Sequence, residues 1–133
     1  MQKTALVLAA AAALLAGPAL QARQKLTGEQ QLAKLLEGRV AGEPANCINT
    51  YANRESRIID KTAIVFGSGN TIWVNRPRHA NSLDSDDVMV TRLTGSQLCD
   101  LDVVHMHDRS MFFRTGWVGL EDFVPYRRVA RSN

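Results

Sequence analysis

After Pro44 the chain is cut into β-branched and aromatic runs that are too short for helices and are separated by turn residues. Ile48, Arg57–Asp60, Thr62–Phe66 and Thr71–Val74 come first, followed by Asp87–Leu93, Gln97–Cys99, Asp102–His107, Met111–Thr115 and Phe123–Val124. Gly67-Ser68-Gly69-Asn70 separates two of them as a hairpin turn would, Thr94-Gly95-Ser96 turns into the Cys99 run, and Asp108-Arg109-Ser110 offers a second hairpin. Strands this short, at this spacing, bury their apolar sides only by folding against one another. The expected fold is therefore mainly β, a small antiparallel β-barrel or sandwich, with its sheet over residues 45–126. The 133 residues suit a single domain, and no internal repeat suggests otherwise.

One N-terminal amphipathic helix is expected over residues 23–42. Thr27 with Gln30 forms a capping box, and Leu32, Leu35, Leu36 and Val40 follow at helical spacing. Lys34 and Glu37 fall off that stripe and should face water, and Pro44 prevents continuation. The stripe is expected to pack on the domain's own sheet.

Residues 1–22 carry the plan of an export signal: Lys3, an apolar run from Ala5 to Ala16, a Gly17-Pro18 break and a small-residue exit at Ala22. Cleavage is expected after Ala22, with Ala19 as the second choice. The run is shorter than the ~20 apolar residues that span a bilayer. Leu14-Leu15-Ala16-Gly17 resembles a lipoprotein signal, but the acylated Cys that must follow is replaced by Pro18. The mature protein should be periplasmic or secreted, with no stable membrane anchor. Formal net charge is +3, and losing Lys3 lowers it by one, too little to imply a nucleic-acid partner. Residues 127–133, with Arg127, Arg128 and Arg131, are expected to form a solvated basic tail.

Cys47 and Cys99 are the only cysteines. In an oxidising compartment, without C-x-x-C spacing, they should form a structural disulfide. A loop of that length is worth about 4 kcal/mol in lost unfolded-state entropy.

Candidate chemistry is sparse. His105-Met106-His107 would place two imidazoles on one face of a strand, with Val104 and Met106 on the core side. Such a pair can hold Zn or Cu if His79, Asp100, Asp102 or Asp108 adds a third ligand. Arg109 beside them disfavours a cation. Asp84-Ser85-Asp86-Asp87 lacks the Gly and Glu of a calcium loop and reads as a polar turn. No G-x-S-x-G elbow surrounds a serine, so no catalytic residue is nominated. Of Trp73, Trp117, Phe112 and Phe113, strand alternation should put at least half in the core.

The order of Cys47-Ile48, Ile59-Asp60-Lys61-Thr62, Trp73-Val74-Asn75, Leu83, Leu98-Cys99-Asp100 and Gly119 with Phe123-Val124-Pro125 resembles an uncharacterised family, a domain of unknown function found in small exported bacterial proteins. The likeness spans about residues 47–126. It implies a compact disulfide-linked β domain behind an export signal and brings no activity with it. Family members often carry further cysteines just before the Leu83 and Gly119 positions, where this sequence has Asn81-Ser82 and Val118. Their joint absence suits a second bridge lost whole, leaving Cys47 to pair with Cys99. The expected function is that of a small exported, non-enzymatic binding or structural protein whose partner is an envelope component or another protein. The alternative is a periplasmic metal-binding or metal-dependent protein using His105 and His107.

Overall fold

The computed structural model describes residues 23–130. The expected export signal, its cleavage site after Ala22, and Arg131 lie outside them.

Helix α1 covers Gly28–Leu36, with both halves of the Thr27–Gln30 capping box formed. It is much shorter than the expected 23–42. It ends because Gly38 adopts φ +70, a left-handed conformation that a residue with a Cβ adopts only at a cost, and the chain turns directly into strand β1, Arg39–Ala41. Val40 is consequently an exposed strand residue and no part of the helical stripe.

The other strands are β2 (Cys47–Asn49), β3 (Ser56–Ile59), β4 (Ala63–Phe66), β5 (Thr71–Asn75), β6 (Asp87–Val90), β7 (Gln97–Cys99), β8 (Val103–Asp108), β9 (Arg114–Gly119) and β10 (Phe123–Arg128). A short 3-10 turn covers Ala80–Ser82. All pairings are antiparallel and form three sheets, ordered β1-β10-β5-β4-β3, β2-β7 and β6-β8-β9. Among the described residues these pairings do not close into a barrel.

Strand β10 runs past Pro125 and takes in Arg127 and Arg128, two residues expected in a solvated basic tail, which stay exposed as strand residues. The proline is tolerated because of where its missing N–H falls. Phe123 exchanges both backbone hydrogen bonds with Ala45, and Gly42 donates to the Pro125 carbonyl, so Pro125 N faces the edge on which β1 has already ended.

Two apolar clusters hold the sheets together. Ile48, Ile64, Phe66, Leu83, Leu98, Val104, Met106, Val118, Leu120 and Phe123 fill the space shared by the three sheets. Leu32, Ile59, Ala63, Val65, Ile72 and Val74 form a second cluster under α1, joined by Leu35, Leu36 and Tyr126. All four residues of β4 are buried, because alternate side chains enter different clusters. Helix α1 comes close enough that a Cβ on Gly28 would lie 1.9 Å from Thr62 Oγ1. Glu29 fixes the same end of the helix through a bidentate pair with Arg76, which lowers the Glu29 pKa and raises that of Arg76.

Cys47 and Cys99 are bonded and stand directly opposite each other in the β2–β7 ribbon. Asp100 donates to Asn46 and Thr50 donates to Ser96 on either side, which makes Cys47/Cys99 a non-hydrogen-bonded pair. That is the position where antiparallel Cα atoms come closest, and here they are 4.0 Å apart. The bridge therefore staples a ribbon whose Ile48 and Leu98 enter the shared core, while α1 sits over the other cluster.

Candidate functional site

The three-stranded sheet turns one face to the core and the other to solvent. In β8, Val104 and Met106 are buried, and His105 and His107 alternate with them onto the outer face, as expected. Cross-strand register adds Val90 and Trp117 beside His105 and Val88 beside His107. Val103 and Trp117 are both exposed, and His79 packs its ring on Trp117 at 4.2 Å between centroids.

The hairpin joining β8 to β9 differs from the sequence reading. Met111–Thr115 was expected as a strand, but β9 starts at Arg114, and residues 109–113 form the connecting loop. Asp108 organises this loop. Its carboxylate accepts from Ser110 N at 2.9 Å and Met111 N at 2.7 Å, its carbonyl accepts from Phe112 N, and its own N–H donates to the Phe113 carbonyl. These bonds hold Phe112 at φ 60, a conformation that costs a bulky residue about 1 kcal/mol or more. Met111, Phe112 and Phe113 are left 80%, 62% and 54% exposed. Phe112 turns back toward the sheet, its ring 5.6 Å from that of His107 and its carbonyl 3.1 Å from His107 Nδ1.

The expectation that at least half of the four aromatics lie in the core is thus overturned. Trp73 alone packs against it; Trp117, Phe112 and Phe113 face solvent. The signal that identifies the loop is Asp108 followed by Ser110, an Asx-type turn that competes with strand extension.

Arginines flank the tip. The Arg109 guanidinium donates to the carbonyls of Ser85, Asp86 and Asp87, and Arg114 opens β9. Among the described residues neither forms a salt bridge.

The metal candidates are spread over separate tasks. His79 lies on Trp117, Asp100 accepts from Asn46 Nδ2, Asp102 accepts from Cys99 N, and Asp108 holds the hairpin loop. His105 Nδ1 is shielded and makes no hydrogen bond to protein. Among the described residues no three His, Cys, Asp or Glu side chains come together as a ligand set. Asp84–Asp87 is a turn leading into β6, with the Asp84 carboxylate accepting from Asp86 N and the Asp87 carboxylate from Thr115 Oγ1.

Nothing resembling a nucleophile with its base appears among the described residues: no serine or threonine hydroxyl there bonds a histidine. Asn75, fully buried, is satisfied by the backbone of Glu121 and locks the β9–β10 turn. A cavity of about 390 Å³ between β3 and β6 is lined by Ser56, Ile58, Ser85, Met89 and the two arginines Arg57 and Arg109. Below it, Asp60 accepts from Ser85 N at 2.6 Å, a bond that lowers the Asp60 pKa and ties the β3–β4 turn to the approach to β6. No helix among the described residues is long and apolar enough to cross a membrane. No family model, curated protein or solved structure matches the chain.

Proposed function

We propose that this is a small exported, non-enzymatic binding protein, released by cleavage after Ala22 into the periplasm or the outside, that holds an envelope component against the outer face of its three-stranded sheet. In this reading the sheets pack as an open sandwich, and the chain is one of the small exported β proteins that its Cys47, Trp73-Val74-Asn75 and Leu98-Cys99 pattern resembles. The observation that carries the reading is the exposure of Val103 and Trp117 on the outer face of a sheet whose other face packs the core, together with that of Met111, Phe112 and Phe113 in the loop at the end of its β8–β9 hairpin. Contiguous exposed apolar surface on a soluble domain marks an interaction site more often than it marks chance. The loop that presents the first three is held by hydrogen bonds, so their exposure is built in and does not come from a loose segment.

The test is photo-crosslinking in the envelope of the cell that makes the protein. A benzophenone side chain at position 112 or 117 should capture an envelope component, while one at exposed Val129, just past the end of β10, should not. Equal capture at all three positions, or none at any, would overturn the proposal.

A further inference from the structure

We propose that the β8–β9 hairpin tip binds the surface of an anionic phospholipid membrane, inserting Met111, Phe112 and Phe113 among the lipids with Arg109 and Arg114 at the phosphates. This rests on the reading of the outer face as a binding surface and names its partner. Three consecutive large apolar side chains stand exposed in the loop that joins β8 to β9, with Phe112 leaning back onto His107 and Met111 and Phe113 beside it. Together they offer on the order of 400 Å² of contact, about half of the ~800 Å² that each partner contributes to a stable protein complex. A fluid interface requires no matching pocket, and aromatic side chains are favoured at the level of the headgroups.

Two arginines flank the tip. Arg109 precedes the apolar triplet and Arg114 follows it, and neither is neutralised by a carboxylate among the described residues. Arg109 is steadied by three backbone carbonyls, which orient its guanidinium without cancelling its charge. Asp108, the nearest acid in the chain, is turned inward onto the amides of Ser110 and Met111. Apolar insertion combined with basic contacts gives peripheral, reversible attachment, stronger on anionic than on neutral lipid and weakened by salt. Such attachment differs from a membrane anchor and is compatible with a soluble mature protein.

The experiment is co-sedimentation of the mature protein with phosphatidylglycerol-rich vesicles and with pure phosphatidylcholine vesicles. Binding to the anionic vesicles is expected, with much less on the neutral ones. The pair Phe112→Ser with Phe113→Ser should weaken it at least about tenfold, and Arg114→Gln about fivefold, with the melting temperature of each variant confirming a folded domain. Failure to bind anionic vesicles, or binding that survives loss of both phenylalanines, overturns the lipid assignment. Crosslinking from position 112 to a protein in the absence of vesicle binding would also overturn it, while leaving the outer face as a binding surface.

Discussion

The five-stranded and three-stranded sheets are both built from short antiparallel strands, yet the centre of one is covered on both faces and the other on only one. Strand β4 reads Ala63-Ile64-Val65-Phe66, apolar throughout, because α1 covers the side opposite the shared core. Strand β8 reads Val103-Val104-His105-Met106-His107-Asp108, and only its alternate positions enter the core. An uncovered face would ordinarily be polar. Here it carries Val88, Val90, Val103, Trp117 and two imidazoles, and its hairpin adds three exposed apolar side chains. The difference separates residues that pack the fold from residues that are left available to a partner.

That separation can be challenged by experiment. The largest loss should come from the shared core. Phe123 is fully buried and meets Phe66 edge-on at 5.7 Å, so Phe123→Ala should cost about 3–5 kcal/mol of unfolding free energy in urea titrations. Removing the bridge with Cys47→Ser and Cys99→Ser should cost a comparable amount, about 4 kcal/mol. Hydrogen exchange should place that loss first in β2 and β7, which the bridge joins, and leave α1 protected. Fraying of α1 ahead of the ribbon would show that the bridge acts through the helix–sheet contact instead.

Acid should act on the tie between the two sheets. The Asp60 pKa is lowered chiefly by the Ser85 N–H, so its contribution is present above the unfolded carboxylate value near ~3.9 and is lost as pH falls through the lower folded value. Wild type should exceed Asp60→Ala in stability by about 1 kcal/mol near neutrality, with the gap closing below about pH 4. A gap unchanged into strong acid would mean that the Asp60 charge plays no part.

Much of the architecture was legible because it is local. Thr27 and Gln30 announce the helix start, Gly67–Asn70 the hairpin, and the alternation around His105 and His107 the two-faced strand. What escaped depends on distant partners. Val40 continues the helical spacing of Leu36, but β1 pairs with β10 almost ninety residues on, and Gly38 ends the helix to allow it. The Phe123-Val124 run continues through Pro125 to Arg128 because the gap that accommodates the proline lies in the Gly42–Ala45 segment. Met111-Phe112-Phe113 has strong strand character, which Asp108 overrides by capturing the following amides. The same misreading hid the exposed tip, so the candidate site was only partly visible: its histidines were placed correctly, its aromatic end was not.

The most direct test of the account pairs stability with attachment in a single variant, Phe112→Ser with Trp117→Ser. If these side chains serve a partner and not the fold, unfolding free energy should stay within about 0.5 kcal/mol of wild type while capture in the envelope, followed by the same crosslinker moved to position 103, is lost. A loss of several kcal/mol with capture intact would contradict the account, because it would show the outer face to be part of the domain's own packing.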